Sequence, residues 1–136
     1  MTMDTSRMSE RTRIVLADDN ERIRALVRAT LAGLDDEFAV VGEARDGEEV
    51  LALVDRLEPE LLLLDLTMPA LDGLSVLEAL RRRRAATRVV VHTAHPAAST
   101  LALRARALGA IDVVEKDQGP VELCARLRAA RDGRAA

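Results

Sequence analysis

Four short apolar runs, each ending on a polar or charged group, constrain this chain more than any other feature. Ile14-Val15-Leu16-Ala17 ends on Asp18-Asp19, and Leu61-Leu62-Leu63-Leu64 ends on Asp65. Val89-Val90-Val91 leads through His92 to Thr93, and Val113-Val114 leads through Glu115 to Lys116. Uninterrupted apolar runs of this length read as strands buried on both faces, the situation of a parallel sheet. In an open parallel sheet ligands bind in the crevice beyond the carboxyl ends of the strands. Three carboxylates, a hydroxyl and an ammonium are therefore expected at one edge.

The segments between the runs read as helices. Asn20 is placed to cap a first helix, along which Ile23, Leu26, Val27, Leu31 and Leu34 follow the spacing of a one-sided apolar stripe, with Gly33 near its end. Phe38 to Ala44 reads as a further strand, Asp46-Gly47 opens a second helix, and Leu57-Glu58-Pro59 stops it. After the loop Met68 to Gly73, Leu74, Leu77 and Leu80 mark a third helix. Pro96 is expected at the first turn of a fourth helix, Gly109 at its left-handed close, and Pro120 at the start of a fifth. Five strands alternating with five helices predict an α/β fold: one doubly wound, five-stranded parallel sheet with helices on both faces. The expected organisation is a mobile N-terminal tail over 1–11, a single domain over 12–132 and a C-terminal tail over 133–136.

Composition narrows the function. The chain has 136 residues, 49% of them hydrophobic, with Phe38 as its one aromatic and neither Trp nor Tyr. An aliphatic interior of this kind offers no aromatic platform for stacking bases. With 20 basic against 23 acidic residues the net charge is -3, which gives no global attraction to a polyanion or an anionic membrane. Direct nucleic-acid binding and a membrane role are not expected. The Arg81 to Arg84 run sits where basic groups complement a helix C-terminus and reads as a solvated face. Cys124 alone excludes an internal disulfide and a cysteine metal cluster, and Met1 to Thr12 lacks an apolar signal core. A soluble cytoplasmic protein whose partner is another protein is the expectation.

The chemistry follows from residue type. Adjacent carboxylates repel and raise one another's pKa unless a cation is present. Asp18, Asp19 and Asp65 together suit Mg²⁺, a hard ion that prefers oxygen ligands and bridges to phosphate oxygens. Asp65, anchored by a buried strand, is placed to act as a nucleophile and form an acyl phosphate. Lys116 is the only lysine among the 20 basic residues. It offers a compact point charge where a planar guanidinium fits less well. Thr93 can donate a hydrogen bond to a phosphoryl oxygen. His92 reads as a strand residue and His95 as a loop residue, neither with metal-ligand spacing.

These residues resemble the receiver domain of two-component response regulators, from about Arg13 to Arg131. The matching pieces are Val15-Leu16-Ala17-Asp18-Asp19, Leu64-Asp65-Leu66-Thr67-Met68-Pro69 with Asp72-Gly73, Val91-His92-Thr93-Ala94, and Gly109-Ala110 ahead of Val113-Val114-Glu115-Lys116. The resemblance implies that Asp65 is the phosphoacceptor and that Asp19, Asp65 and the Thr67 carbonyl bind Mg²⁺, with Asp18 acting through water. It implies that Lys116 pairs with the phosphoryl group and that Thr93 swings toward it. It further implies phosphoryl transfer from a sensor histidine kinase or phosphotransfer protein, self-catalysed dephosphorylation, and an altered surface for a homodimer partner or an attached or separate output domain. The position where many receivers carry an aromatic is Val113, and Lys116-Asp117 resembles receivers joined to LuxR-type DNA-binding domains.

Two other readings compete. A haloacid-dehalogenase-type phosphatase places its Asp-x-Asp strand first in the chain, whereas here the acidic pair comes first and Asp65-Leu66-Thr67 lacks the second Asp. A receiver-like binding module that signals without phosphorylation draws on the missing aromatic at Val113.

Overall fold

The computed structural model describes residues 11–133. Five strands and five helices alternate: β1 Thr12–Ala17, α1 Glu21–Ala32, β2 Phe38–Ala44, α2 Gly47–Leu57, β3 Leu61–Leu64, α3 Gly73–Arg82, β4 Arg88–Thr93, α4 Thr100–Ala107, β5 Asp112–Glu115 and α5 Gly119–Arg131. The strands form one parallel sheet in the order β2-β1-β3-β4-β5. The doubly wound α/β architecture expected from the sequence is the one observed. The expected tails over 1–11 and 133–136 lie almost wholly outside the described residues.

The period-two alternation of buried strands sorts the core into two layers. Val15, Leu62, Leu64, Val89, Val91 and Val113 point toward α2, α3 and α4, where Val50, Val76 and Leu77 meet them. Ile14, Leu16, Leu61, Leu63, Val90 and Val114 point the other way, against Val27 and Leu31 of α1 and Leu123 and Leu127 of α5. A buried acid at the start of β5, Asp112, joins the two outer helices of that edge. Its Oδ1 lies 2.6 Å from Arg126 of α5 and 3.4 Å from Arg106 of α4.

Capping follows side-chain chemistry. Asn20 accepts from the Arg22 amide, Asp46 from Glu49 and Asp72 from Ser75, each satisfying an orphan donor of a first turn. Gly109 takes φ +113 after α4, the positive-φ close read from the sequence. Two expectations need correction. Pro96 does not open α4: it begins a turn in which the Ser99 amide donates to the Pro96 carbonyl. The Ser99 side chain then caps the helix at Ala102. Leu26 is 60% exposed, because it lies a residue's rotation away from the stripe formed by Val27 and Leu31. Val121 on α5 is likewise exposed. Arg81 to Arg84 are all exposed, as a solvated face requires.

Candidate functional site

The chain runs outward from β1 to β2 on one side and then to β3 on the other, so the winding reverses between β1 and β3. Loops diverge at such a switch point and leave a crevice at the carboxyl edge. Ala17 pairs with Leu64, and the Asp65 amide donates to the Ala17 carbonyl at 2.9 Å. Register alone therefore sets Asp18 and Asp65 side by side. On the far side Val91 pairs with Val113 and Thr93 with Glu115, which brings Thr93 and Lys116 to the same edge.

Oxygen atoms of Asp18, Asp19 and Asp65 all lie within 4.8 Å of one another. Lys116 Nζ is 2.7 Å from Asp18 Oδ2 and 3.5 Å from Asp65 Oδ2. Asp18 and Asp65 are buried, and Asp19 is exposed. Asp18 Oδ1 accepts from the Asn20 amide at 2.9 Å. Its Oδ2 is buried and faces the Lys116 ammonium. Asp65 Oδ1 receives the Thr67 amide at 3.2 Å and the Thr67 hydroxyl at 3.3 Å. Burial pushes the Asp65 carboxyl above its ordinary pKa, with the Asp18 charge adding to the rise and Lys116 opposing it. Three clustered carboxylates with one ammonium leave an under-neutralised, all-oxygen donor set. Such a set fits a hard divalent cation.

The β3–α3 loop turns sharply behind Asp65. The Gly73 amide donates to the Leu66 carbonyl, and a Cβ at Gly73 would stand 2.7 Å from Leu66 Cα and 2.8 Å from the Asp65 carbonyl oxygen. Only glycine admits that approach. Thr93 is fully buried, and its Oγ1 accepts from the His95 amide at 3.0 Å. Glu115, next to Lys116, accepts from the Ala97 amide at 2.8 Å, so the β4–α4 loop is tied to both strands at the site. Val113 is buried among aliphatic side chains on the α4 side of the sheet.

The structure brings Asp18, Asp19, Asp65, Thr67 and Lys116 into contact and sets Thr93 at the same edge of the sheet. Sequence reasoning missed three groups around them. Arg24 is buried and donates to the Asp18 carbonyl at 2.6 Å. Glu115 holds the β4–α4 loop. His92, treated as an ordinary strand residue, is buried beside Lys116, and burial followed by the lysine's charge lowers its pKa to about 4. The one available signal was for Arg24, whose spacing from Glu21 is that of a helical ion pair.

The fold and site define a flavodoxin-like α/β domain with an acidic, lysine-bearing pocket at its switch point. The chain belongs to the response regulator receiver domain family, whose model matches residues 14–128, and is a receiver domain of two-component signalling. Among relatives, a protein-glutamate methylesterase/protein-glutamine glutaminase of Myxococcus xanthus is 43% identical over 76% of this chain and 30% of its own length. The nitrate/nitrite response regulator protein NarL of Escherichia coli is 36% identical over 88% of this chain and 55% of its own. The chain thus spans well under two thirds of these relatives. Among solved structures, the signal receiver domain of a Mycobacterium tuberculosis NarL matches with a TM-score of 0.82 at 35% identity, covering 90% of this chain and 98% of that one. A LuxR-family two-component response regulator from Aurantimonas matches with a TM-score of 0.84 at 33% identity, covering 93% and 89%. No helix among the described residues is long and apolar enough to cross a membrane.

Proposed function

We propose that this chain accepts a phosphoryl group on Asp65 from a histidine kinase or phosphotransfer protein in the cytoplasm, with Mg²⁺ held by Asp18, Asp19, Asp65 and Thr67. The observation that carries this reading is the meeting of three carboxylates within 4.8 Å around a lysine ammonium at the switch point. Phosphoryl transfer needs little covalent chemistry from the protein beyond a nucleophile; it depends on positioning and on neutralising charge at the phosphoryl oxygens. Asp18, Asp19, Asp65 and Thr67 would hold the metal, which would supply part of that neutralisation.

The chain's own residues do the rest. The Thr67 donors fix the Asp65 carboxylate in place for attack on phosphorus, and the bond from phosphorus to the donor's nitrogen breaks. Lys116 pairs with the transferred group, and the Thr93 hydroxyl turns from the His95 amide to donate to a phosphoryl oxygen. The resulting change at the β4–α4 loop alters the surface offered to an output domain, attached or separate, or to a second copy.

Beryllofluoride with Mg²⁺ tests the reading. It is expected to shift amide resonances of residues 18–20, 65–67 and 93–97 in the wild type and to do nothing in Asp65→Asn. An intact protein that fails to respond would instead favour a module that signals without phosphate, the reading to which the aliphatic Val113 gives support.

A further inference from the structure

Arg24 lies about one turn into α1, with a residual exposure of 6%. A guanidinium so enclosed is costly unless each face finds a partner. Its Nη1 donates to the Asp18 carbonyl at 2.6 Å, its Nε to Glu43 Oε1 at 3.1 Å, and its Nη2 to Glu21. Glu43, near the end of β2, is held in turn by Arg28 at 2.7 Å. The guanidinium therefore ties three segments together at one point: the end of β1, the end of β2 and the first turn of α1.

The Asp18 carbonyl is where this matters. The Asp18 amide still belongs to the sheet, donating to the Ala44 carbonyl at 3.0 Å. Beyond it the chain leaves the sheet, and the carbonyl has Arg24 as its donor. Asp18 and Asp19 are thus presented by a strand end whose last acceptor is clamped from beneath. The Asn20 amide then closes on Asp18 Oδ1.

We propose that Arg24 is a positioning residue for the acidic pair, setting the backbone at Asp18 so that Asp18 and Asp19 meet Asp65 in cation-binding geometry. The inference rests on the metal-dependent reading above. Groups that orient ligating residues without touching the metal typically change its affinity about 10- to 100-fold when removed. Charge alone predicts the opposite sign, since deleting a cation near the site favours Mg²⁺. The direction of the change therefore separates the two roles.

The experiment titrates metal-free protein with MgCl2, following the Asp19 and Thr67 amides by NMR, in the wild type, Arg24→Met and Arg24→Lys. Amide hydrogen exchange at Asn20 is measured in the absence of metal. Arg24→Met keeps the apolar stem and removes the donors. It is expected to raise the Mg²⁺ dissociation constant at least about tenfold and to lose the Asn20 protection, while Arg24→Lys, with one donor to offer the carbonyl, recovers part of both. Unchanged or tighter Mg²⁺ binding in Arg24→Met overturns the proposal. Loss of folding in both variants by circular dichroism overturns it too, because the network would then serve the fold. A wild type that ignores Mg²⁺ counts against the metal-dependent function, while the Asn20 exchange comparison still decides whether Arg24 sets the loop.

Discussion

His92 makes the stability of this domain depend on pH in a window where few other groups act. The imidazole is 8% exposed and lines a small hollow with Ile23, Val27, Leu123 and Lys116. Burial, and then the Lys116 charge, lower its pKa from 6.5 to about 4 in the folded protein. The unfolded chain therefore binds a proton that the folded one refuses. The neutral ring's contribution is fully present above about pH 6.5 and is lost as the pH falls toward about 4. The full shift corresponds to about 3 kcal/mol, and about 2 kcal/mol of it is gone by roughly pH 5. Asp65 works in the opposite sense, because a carboxyl raised by burial is relieved when it protonates. A difference measurement cancels that contribution. Urea unfolding, followed by far-UV circular dichroism because the chain lacks Trp and Tyr, is compared for wild type and His92→Leu from pH 7.5 to 5. The gap between the two is expected to move by about 2 kcal/mol toward the variant over that range. A constant gap, or a ring titration by NMR with its midpoint near the ordinary value, would refute the argument.

Two substitutions probe the loops that flank the site. Gly73→Ala forces a Cβ against Leu66 Cα and the Asp65 carbonyl, so a cost of about 1–3 kcal/mol in urea unfolding is expected, with amide shifts at Asp65 and Thr67; a neutral substitution would mean that the turn gives way freely. Glu115→Ala removes the acceptor of the Ala97 amide, and hydrogen exchange at Ala97 is expected to accelerate while β4 stays protected.

The strands were legible because their signal is simple: an apolar run flanked by polar residues has few other places to go than a buried parallel sheet. The site was legible for the same reason, since strand ends in such a sheet share an edge by topology and need no knowledge of side-chain packing. What the sequence concealed depends on rotation and on partners. Leu26 differs from Val27 by one helical step, yet one is exposed and the other buried, because stripe width is set by how α1 sits on the sheet. Pro96 is as acceptable in a turn as in a first helical turn, and the Ser99 cap decided between them. Arg24 reads as a surface arginine until β2 places Glu43 against it, a long-range pairing that no local pattern encodes.

The same geometry explains why this edge resists being an ordinary salt-bridge cluster. A single ammonium approaches Asp18 more closely than Asp65, leaving Asp65 with two Thr67 donors and a raised pKa. Arg24 supplies a second positive charge, but it is spent on the Asp18 backbone and on Glu21 and Glu43, not on the clustered carboxylates. His92, a titratable base beside Lys116, is held neutral by burial and by Lys116 itself. Each local source of compensating charge is thus committed elsewhere or suppressed, and repulsion among three acids persists in the folded state. On the proposed reading a hard cation would relieve that repulsion, and a phosphoryl group on Asp65 would have Lys116 beside it. Neutralising the cluster within the chain, for instance by a second lysine at the edge, would remove the reason for the cation to bind.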